Sequence, residues 1–282
     1  MLENLTGLYP LALYGTAMCL AVAELIVPGR QQTQPLSRRW TANLGLFVLN
    51  LFVQRLCVPL SVVVVAEVAV NSGYGLLQLT GGPAIVTLLM GILLLDLWKY
   101  AEHRVMHGLS LLWRLHMVHH SDIEADFTTT ERHHPLEAII GAVSTLVFVF
   151  LIGIPPLAVV IYLLLATVVA LFAHANISHS ERGERWLRWI IVTPGVHSVH
   201  HSAARHETDS NFGMLLTIWD RVFGTYRNST PAENAARIIG LEYFRDARSA
   251  RIDQLLYLPF RSLAAQGQSP VIQTGNNKRI VP

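Results

Sequence analysis

All 13 histidines of this 282-residue chain fall between His103 and His206, and eight of them form three clusters: His103 with His107, His116 with His119 and His120, and His197 with His200 and His201. Neutral imidazole is the commonest metal ligand in proteins. Rings three or four residues apart share one face of a helix and can converge on one ion. One such pair is weak evidence. One H-x-x-x-H and two H-x-x-H-H clusters offer eight ring donors, more than a single tetrahedral or octahedral ion accepts, and so predict two metals close together. An isolated histidine near a membrane is ordinarily a polar anchor. The clusters differ, because so many imidazoles would leave donors and acceptors without partners.

The residue types narrow the chemistry. The first pair reads His103-Arg104-Val105-Met106-His107 and lacks the glutamate that H-E-x-x-H zinc hydrolases use as general base. No Glu-x-x-His pair of the soluble di-iron carboxylate type stands out within the apolar spans. Imidazole alone suits iron, copper, nickel or zinc. Cys19 and Cys57 lie in apolar runs and read as packing residues, excluding a disulfide framework or a thiolate site. A net charge of +2, with no basic run interleaved with aromatics, sets nucleic acid aside as a partner.

The elements that position these rings belong to a membrane. Hydrophobic residues make up 52% and charged residues 14%, with a mean hydropathy of +0.40, against roughly 25% charged residues in soluble domains. About 20 apolar residues cross a bilayer as a helix. The expected spans are about Leu8 to Val27, Leu44 to Val70, Pro83 to Trp98, Leu136 to Ile152 and Leu157 to Phe172. The first lacks a basic leader and a clear cleavage site, so it is expected to be a retained helix. The second is interrupted by Asn50, Gln54, Arg55 and Pro59 and is expected to tilt or kink. The third contains Asp96, which needs a partner, with Lys99 and Arg104 near enough along the helix. Ile154-Pro155-Pro156 separates the last two. The expectation is an all-α integral membrane protein of four to five transmembrane helices with a histidine-rich helical cap on the cytosolic side.

Of 21 basic residues, Arg30, Arg38 and Arg39 fall between the first two spans, Arg55 lies within the second, and the other 17 follow from Lys99 onward. Because basic residues accumulate in cytoplasmic loops, this predicts an outside N-terminus and a cytoplasmic histidine region and C-terminus, as in a bacterial inner membrane or its equivalent. The last two spans form a hairpin, so the early and late clusters return to one membrane face. The expected organisation is N-terminal transmembrane helices over 1–90, a catalytic domain over 91–227, and a C-terminal segment over 228–282. Within that segment Ala235 to Phe260 reads as an amphipathic helix lying on the membrane or docked on the protein, and Ser262 to Pro282 as a loose tail.

With the three boxes in this order and a hairpin between the second and third, the chain resembles the fatty acid hydroxylase and sterol desaturase superfamily of membrane di-iron oxygenases over roughly Gly91 to Arg227. Thr129 to Glu137 (TTERHHPLE), His174-Ala175-Asn176 and Asp209 to Thr225, ending Trp219-Asp220-Arg221-Val222-Phe223-Gly224-Thr225, are also similar to that family. The resemblance implies two iron ions, O2 as co-substrate, and hydroxylation, desaturation or ether oxidation of a membrane lipid. Carried over by motif, the ligands are His103, His107, His116, His119, His120, His197, His200 and His201, with His174 as a ninth. His134 could bind metal, cap the following helix or support a ligand, Asn176 could hold a ligand or water, and His206 could orient a ligand from behind. His133 and His179 are assigned to the membrane interface. Glu102, Asp122, Glu131 and Asp209 are candidates to orient imidazoles, although each is more readily read as a solvated surface carboxylate.

No cytochrome b5-like haem segment and no G-x-G-x-x-G fingerprint occurs in the sequence, so electrons are expected from a separate ferredoxin, or a cytochrome with its reductase. Two other readings compete. A divalent-metal binding or transport protein would need polar groups along a path through the bilayer. A bis-histidine haem cytochrome would leave the H-x-x-H-H doubling without a role.

Overall fold

The computed structural model describes residues 7–178 and 180–261. The assignment of His179 to the interface and of 262–282 to a tail lie outside the described residues. The first part of the chain forms α1 (Leu8–Ile26), α2 (Leu36–Cys57), α3 (Val62–Asn71), a single turn α4 (Leu76–Leu79), α5 (Ala84–Gly108) and α6 (Ser110–His120). A 3-10 turn (Phe127–Glu131) then leads into the hairpin of α7 (Pro135–Ile152) and α8 (Pro156–His174). Five stretches are long and apolar enough to cross a membrane: Leu8–Ile26, Leu36–Leu79, Ala84–Gly108, Pro135–Ile152 and Pro156–His174. Their outer faces carry large apolar side chains such as Leu11, Met18, Leu25, Phe52 and Ile85, as surfaces bathed in hydrocarbon should. Cys19 and Cys57 also face outward and do not pack inside.

The kink expected in the second span falls at Pro59. Proline supplies no amide hydrogen and disfavours helix in the residue before it, so α2 ends at Cys57. The chain restarts at α3, where the Ser61 hydroxyl accepts from Val63 N at 3.3 Å. The third span does not stop at Trp98. With 25 residues, at 1.5 Å each, α5 is about 37 Å long and exceeds the apolar layer by a little over one turn. His103 and His107 occupy that projecting end. The α7–α8 turn is closed by Gly153 in the left-handed region (φ 71°), followed by Pro155 and Pro156 at the start of α8. There the hairpin presses on α5 so closely that a Cβ on Gly91 would lie 2.9 Å from the Ala158 methyl. Leu95, Val149, Ile154, Val159 and Tyr162 share the core these three helices enclose.

Asp96 is wholly buried in that region, and neither Lys99 nor Arg104 serves it. It accepts from the backbone N–H groups of Leu215 and Leu216 at 3.2 Å each, from Trp219 Nε1 at 2.8 Å and from the Tyr162 hydroxyl at 3.3 Å. Lys99 turns instead to Glu102 at 3.0 Å. A carboxylate on a transmembrane helix thus ties down a loop more than a hundred residues away.

The cap follows as short pieces: α9 (Glu181–Leu187), α10 (Pro194–His200), α11 (Arg205–Thr208), α12 (Ile218–Val222), α13 (Pro231–Ala236) and α14 (Ile252–Tyr257), with 3-10 turns at Ala247–Ala250 and Leu258–Phe260. The continuous amphipathic helix expected over Ala235 to Phe260 does not form. Gly240 (φ 103°) and Phe244 (φ 60°) take conformations that no right-handed helix contains. The segment docks in fragments, burying Leu255 and Leu258 against Leu46, Met117 and Val118.

A charged strut locks the end of α6 to α2. Arg39, in α2 and not in a loop, is buried and pairs with Asp122 at 3.2 Å and Asp126 at 3.0 Å. Arg132 donates to Val118 O, Ser121 Oγ and Asn43 Oδ1. Burial by itself would raise the Asp122 carboxyl, yet the Arg39 and Arg132 guanidiniums hold it far below the ordinary carboxylate range. Asp122 is therefore part of the frame and does not orient an imidazole.

Candidate metal centre

The nine histidines carried over as ligands lie together in two adjoining groups. His103, His107, His116, His120 and His200 form the first, and His119, His174, His197 and His201 the second; within each, one ring nitrogen per residue lies within 4.8 Å of all the others. Helix geometry explains the division. In α6, His116 and His120 are four residues apart and share a face toward the first group, while His119, rotated about 100° from His120, faces the second. The pattern is mirrored at α10: His197 and His201 face the second group and His200 the first. Each His-His doublet therefore straddles both groups, which gives the H-x-x-H-H doubling a physical cause.

Four rings of the first group are pinned from behind. His103 Nδ1 lies 2.9 Å from Phe212 O, His107 Nδ1 3.2 Å from Asp209 Oδ1, His116 Nδ1 2.6 Å from Glu137 Oε1 and His200 Nδ1 2.9 Å from Ser210 O. Carbonyls and carboxylates can only accept, so each Nδ1 carries the hydrogen and each Nε2 presents a lone pair inward. The consequence is plain at His103 and His116, whose Nε2 atoms are 3.1 Å apart: two lone pairs face each other, an arrangement that calls for a cation between them.

In the second group His174 Nδ1 is taken by Ala170 O at 2.8 Å, and its Nε2 lies 2.9 to 3.2 Å from those of His119, His197 and His201. Metal–imidazole bonds of about 2.1 Å put neighbouring ligand nitrogens about 3 Å apart, so these separations fit a shared ion. Further buried ring nitrogens have no hydrogen-bond partner, among them His107 Nε2, His200 Nε2 and both nitrogens of His120. A buried polar atom left unpaired costs about 1–3 kcal/mol; a metal would satisfy the inward ones. Burial, reinforced by neighbouring rings, keeps His119, His120, His197 and His201 well below the usual imidazole range. Burial likewise draws His200 down to about 3. These five rings are held toward the neutral form, with lone pairs free to bind.

Other expectations resolve differently. His134 is the N-cap of α7: its Nδ1 accepts from Leu136 N at 3.2 Å and its Nε2 meets Leu256 O at 3.3 Å, so neither nitrogen is directed at the two groups. Asn176 is occupied with Arg30, accepting from its N–H at 2.8 Å and donating to its carbonyl at 2.9 Å. His206 is exposed on α11. His133 is no interface anchor, because it stacks on His119 with centroids 4.6 Å apart. Of the four proposed orienting carboxylates only Asp209 touches a ligand ring; Glu102 pairs with Lys99, and Glu131 receives the His133 amide on its main-chain carbonyl.

The carboxylate that sequence reasoning missed is Glu137, which is buried and receives both His116 Nδ1 and His133 Nδ1, the latter at 3.0 Å. A glutamate four residues after a histidine and just inside a proline-initiated helix was the available signal. Replacing it by glutamine removes the charge that fixes two rings, and the expected result is a 10–100-fold loss of metal affinity. A competing-chelator titration of the purified variant measures this, and an unchanged affinity would remove Glu137 from that role.

Two acids also hold the loop that pins His103. Besides Asp96, Asp220 accepts from the backbone N–H groups of Phe212 and Gly213 at 2.8 Å each and from the Thr225 hydroxyl at 2.7 Å.

Five apolar helices with nine converging imidazoles at one end define a polytopic membrane protein with a histidine-built candidate metal centre. Residues 88–225, just under half of the chain, match the family described as fatty acid hydroxylase, and the chain carries a domain of that family there. Its relatives include an ornithine lipid hydroxylase of Rhizobium tropici (29% identical over 160 residues, 56% of this chain and 46% of that protein). An alkylglycerol monooxygenase of Homo sapiens is 27% identical over 150 residues, 52% and 31% of the two chains. A lathosterol oxidase of Homo sapiens is 27% identical over 161 residues, 57% and 50%. The chain thus spans half or less of the length of these relatives. No solved structure matches it.

Proposed function

We propose that this chain is a membrane di-iron oxygenase that hydroxylates or desaturates a C–H bond of a lipid, using O2 and electrons from a separate ferredoxin or a cytochrome with its reductase. The observation that carries the proposal is the straddling of two adjoining imidazole groups by each His-His doublet, which suits two ions acting together. His103, His107, His116, His120 and His200 would hold one iron, and His119, His174, His197 and His201 the other. Bound iron would supply the O2-activating redox chemistry that no side chain possesses.

The rest is the work of the chain's own residues. Phe212 O, Asp209, Glu137 and Ser210 O hold ring hydrogens on Nδ1, so the inward nitrogens need no tautomer change on binding. Burial of all nine rings excludes bulk water. Placement of the centre where apolar spans end lets a lipid reach it without leaving the bilayer, and the relatives, an ornithine lipid hydroxylase, an alkylglycerol monooxygenase and a lathosterol oxidase, support a lipid substrate. The concentration of basic residues from Lys99 onward supports a cytoplasmic face for the centre. The carrier reading is disfavoured because the histidines gather at one end of the spans and form no path along them.

The test is metal analysis of purified protein with lipid oxidation under labelled O2. We expect two irons per chain, O2-dependent conversion of a membrane lipid given reductant, and loss of conversion on chelation that returns with ferrous iron. Tightly held zinc with no O2 uptake would end the proposal.

A further inference from the structure

A cleft of about 190 Å³ opens where α1 and α8 end, and it reaches His174, His197 and His201 of the second group. Arg30 lines it. The Arg30 main chain is fastened two residues beyond His174 by the paired Asn176 hydrogen bonds, with Gly29 N donating to Asn176 O at 3.0 Å. Glycine is required at 29, since a Cβ there would sit 2.8 Å from Ile177 O.

The Arg30 side chain donates to Asn234 O but has no carboxylate within ion-pair distance among the described residues. Neighbouring cations are engaged: Arg188 with Glu184 at 3.0 Å and Arg237 with Glu207 at 3.0 Å. Glu181 stands exposed at the cleft and makes no ion pair with Arg30. Burial draws the Arg30 guanidinium down to about 10, with repulsion from Arg237 adding to the effect. A half-buried guanidinium without a counter-charge is costly until an anion meets it.

The level of the cleft says what carries that anion. α1 and α8 are apolar spans ending at Ile26 and His174, and Gly29, Ala173 and Ala175 line the cleft at that height. Helices leave the hydrocarbon where lipids place their headgroups. We propose that this cleft seats an anionic lipid headgroup, a phosphate or carboxylate, against Arg30, and so presents the adjoining carbons of that lipid to the second histidine group. The inference deepens the proposed function and rests on it for the chemistry that follows binding.

Binding is measured by calorimetry on the full chain in neutral detergent, with dihexanoyl phosphatidic acid, dihexanoylglycerol and inorganic phosphate as probes. The anionic lipid should bind about tenfold tighter than the neutral one. Arg30→Gln should abolish the difference, Arg30→Lys should keep most of it, and Ala235→Trp, at an exposed position lining the cleft, should weaken the anionic lipid. Equal affinity for the two lipids, an unchanged preference in Arg30→Gln, or phosphate alone binding as tightly as the lipid would overturn the inference. If Arg30→Gln does not fold, the wild-type comparison decides alone. Because binding needs no turnover, a persisting preference in a protein without iron or O2 uptake would sink only the oxygenase reading. An active oxygenase lacking the preference would sink only this one.

Discussion

Alanine at His200 or at His119, one ring from each group, should lower lipid oxidation at least about a thousandfold, and the double variant should be no worse than either single one. Residues that act as one catalytic unit are grossly non-additive. Here the structure joins the two groups through neighbouring rings: His120 of the first stacks on His201 of the second at 4.5 Å, and His200 has its ring centroid 4.4 Å from that of His103 and 5.5 Å from that of His201. Membrane insertion should be unaffected, because none of the apolar spans contains either residue. The measurement is turnover and iron per chain in variants purified at equal yield. Either single variant retaining a tenth of wild-type turnover, or losses that multiply in the double variant, would show that the two groups do not work as a unit.

Asp96→Ala should reduce stability more than any other single change away from the histidines. It removes one acceptor from each of four donors, Leu215 N, Leu216 N, Trp219 Nε1 and Tyr162 Oη, at a position with no solvent exposure. Each orphaned donor costs about 1–3 kcal/mol, so the sum reaches much of the 5–15 kcal/mol that usually separates folded from unfolded chains. The expected result is a collapse in monodisperse yield and a thermal midpoint lowered by many degrees. Asp96→Asn, which retains one carbonyl oxygen but turns an amide donor toward other donors, should fall between. A wild-type midpoint in Asp96→Ala would mean that the loop over Phe212 to Trp219 is held by other contacts.

What the sequence made legible follows from the range of the interactions concerned. Histidine spacing is local, so eight of the nine rings stood out from H-x-x-x-H and H-x-x-H-H, while His174 was implied by the family resemblance. Hydropathy is also local and located five spans, although α5 runs on to Gly108 because nothing between Trp98 and His107 breaks a helix. Partners are not local. Asp96 looked toward Lys99 and Arg104 in its own helix but found donors about 120 residues away. Arg39 read as a loop cation and is a buried strut to Asp122. Glu137 was passed over because its bond to His116 crosses from α7 to α6. The helix expected over Ala235 to Phe260 failed because an alternating apolar pattern cannot reveal that Gly240 and Phe244 will adopt positive φ.

The rear hydrogen bonds of the first group carry a consequence for how the protein matures. Phe212 O, Asp209, Glu137 and Ser210 O select one protonation isomer of four rings before any ion arrives, and those partners come from α7 and from the segment following α11 that runs into the loop anchored by Asp96 and Asp220. The receptacle is thus shaped by threading and packing of the polypeptide itself. Loading becomes a late and separable event: a cell short of metal would accumulate an inserted, inert precursor that can be charged afterwards without being rebuilt.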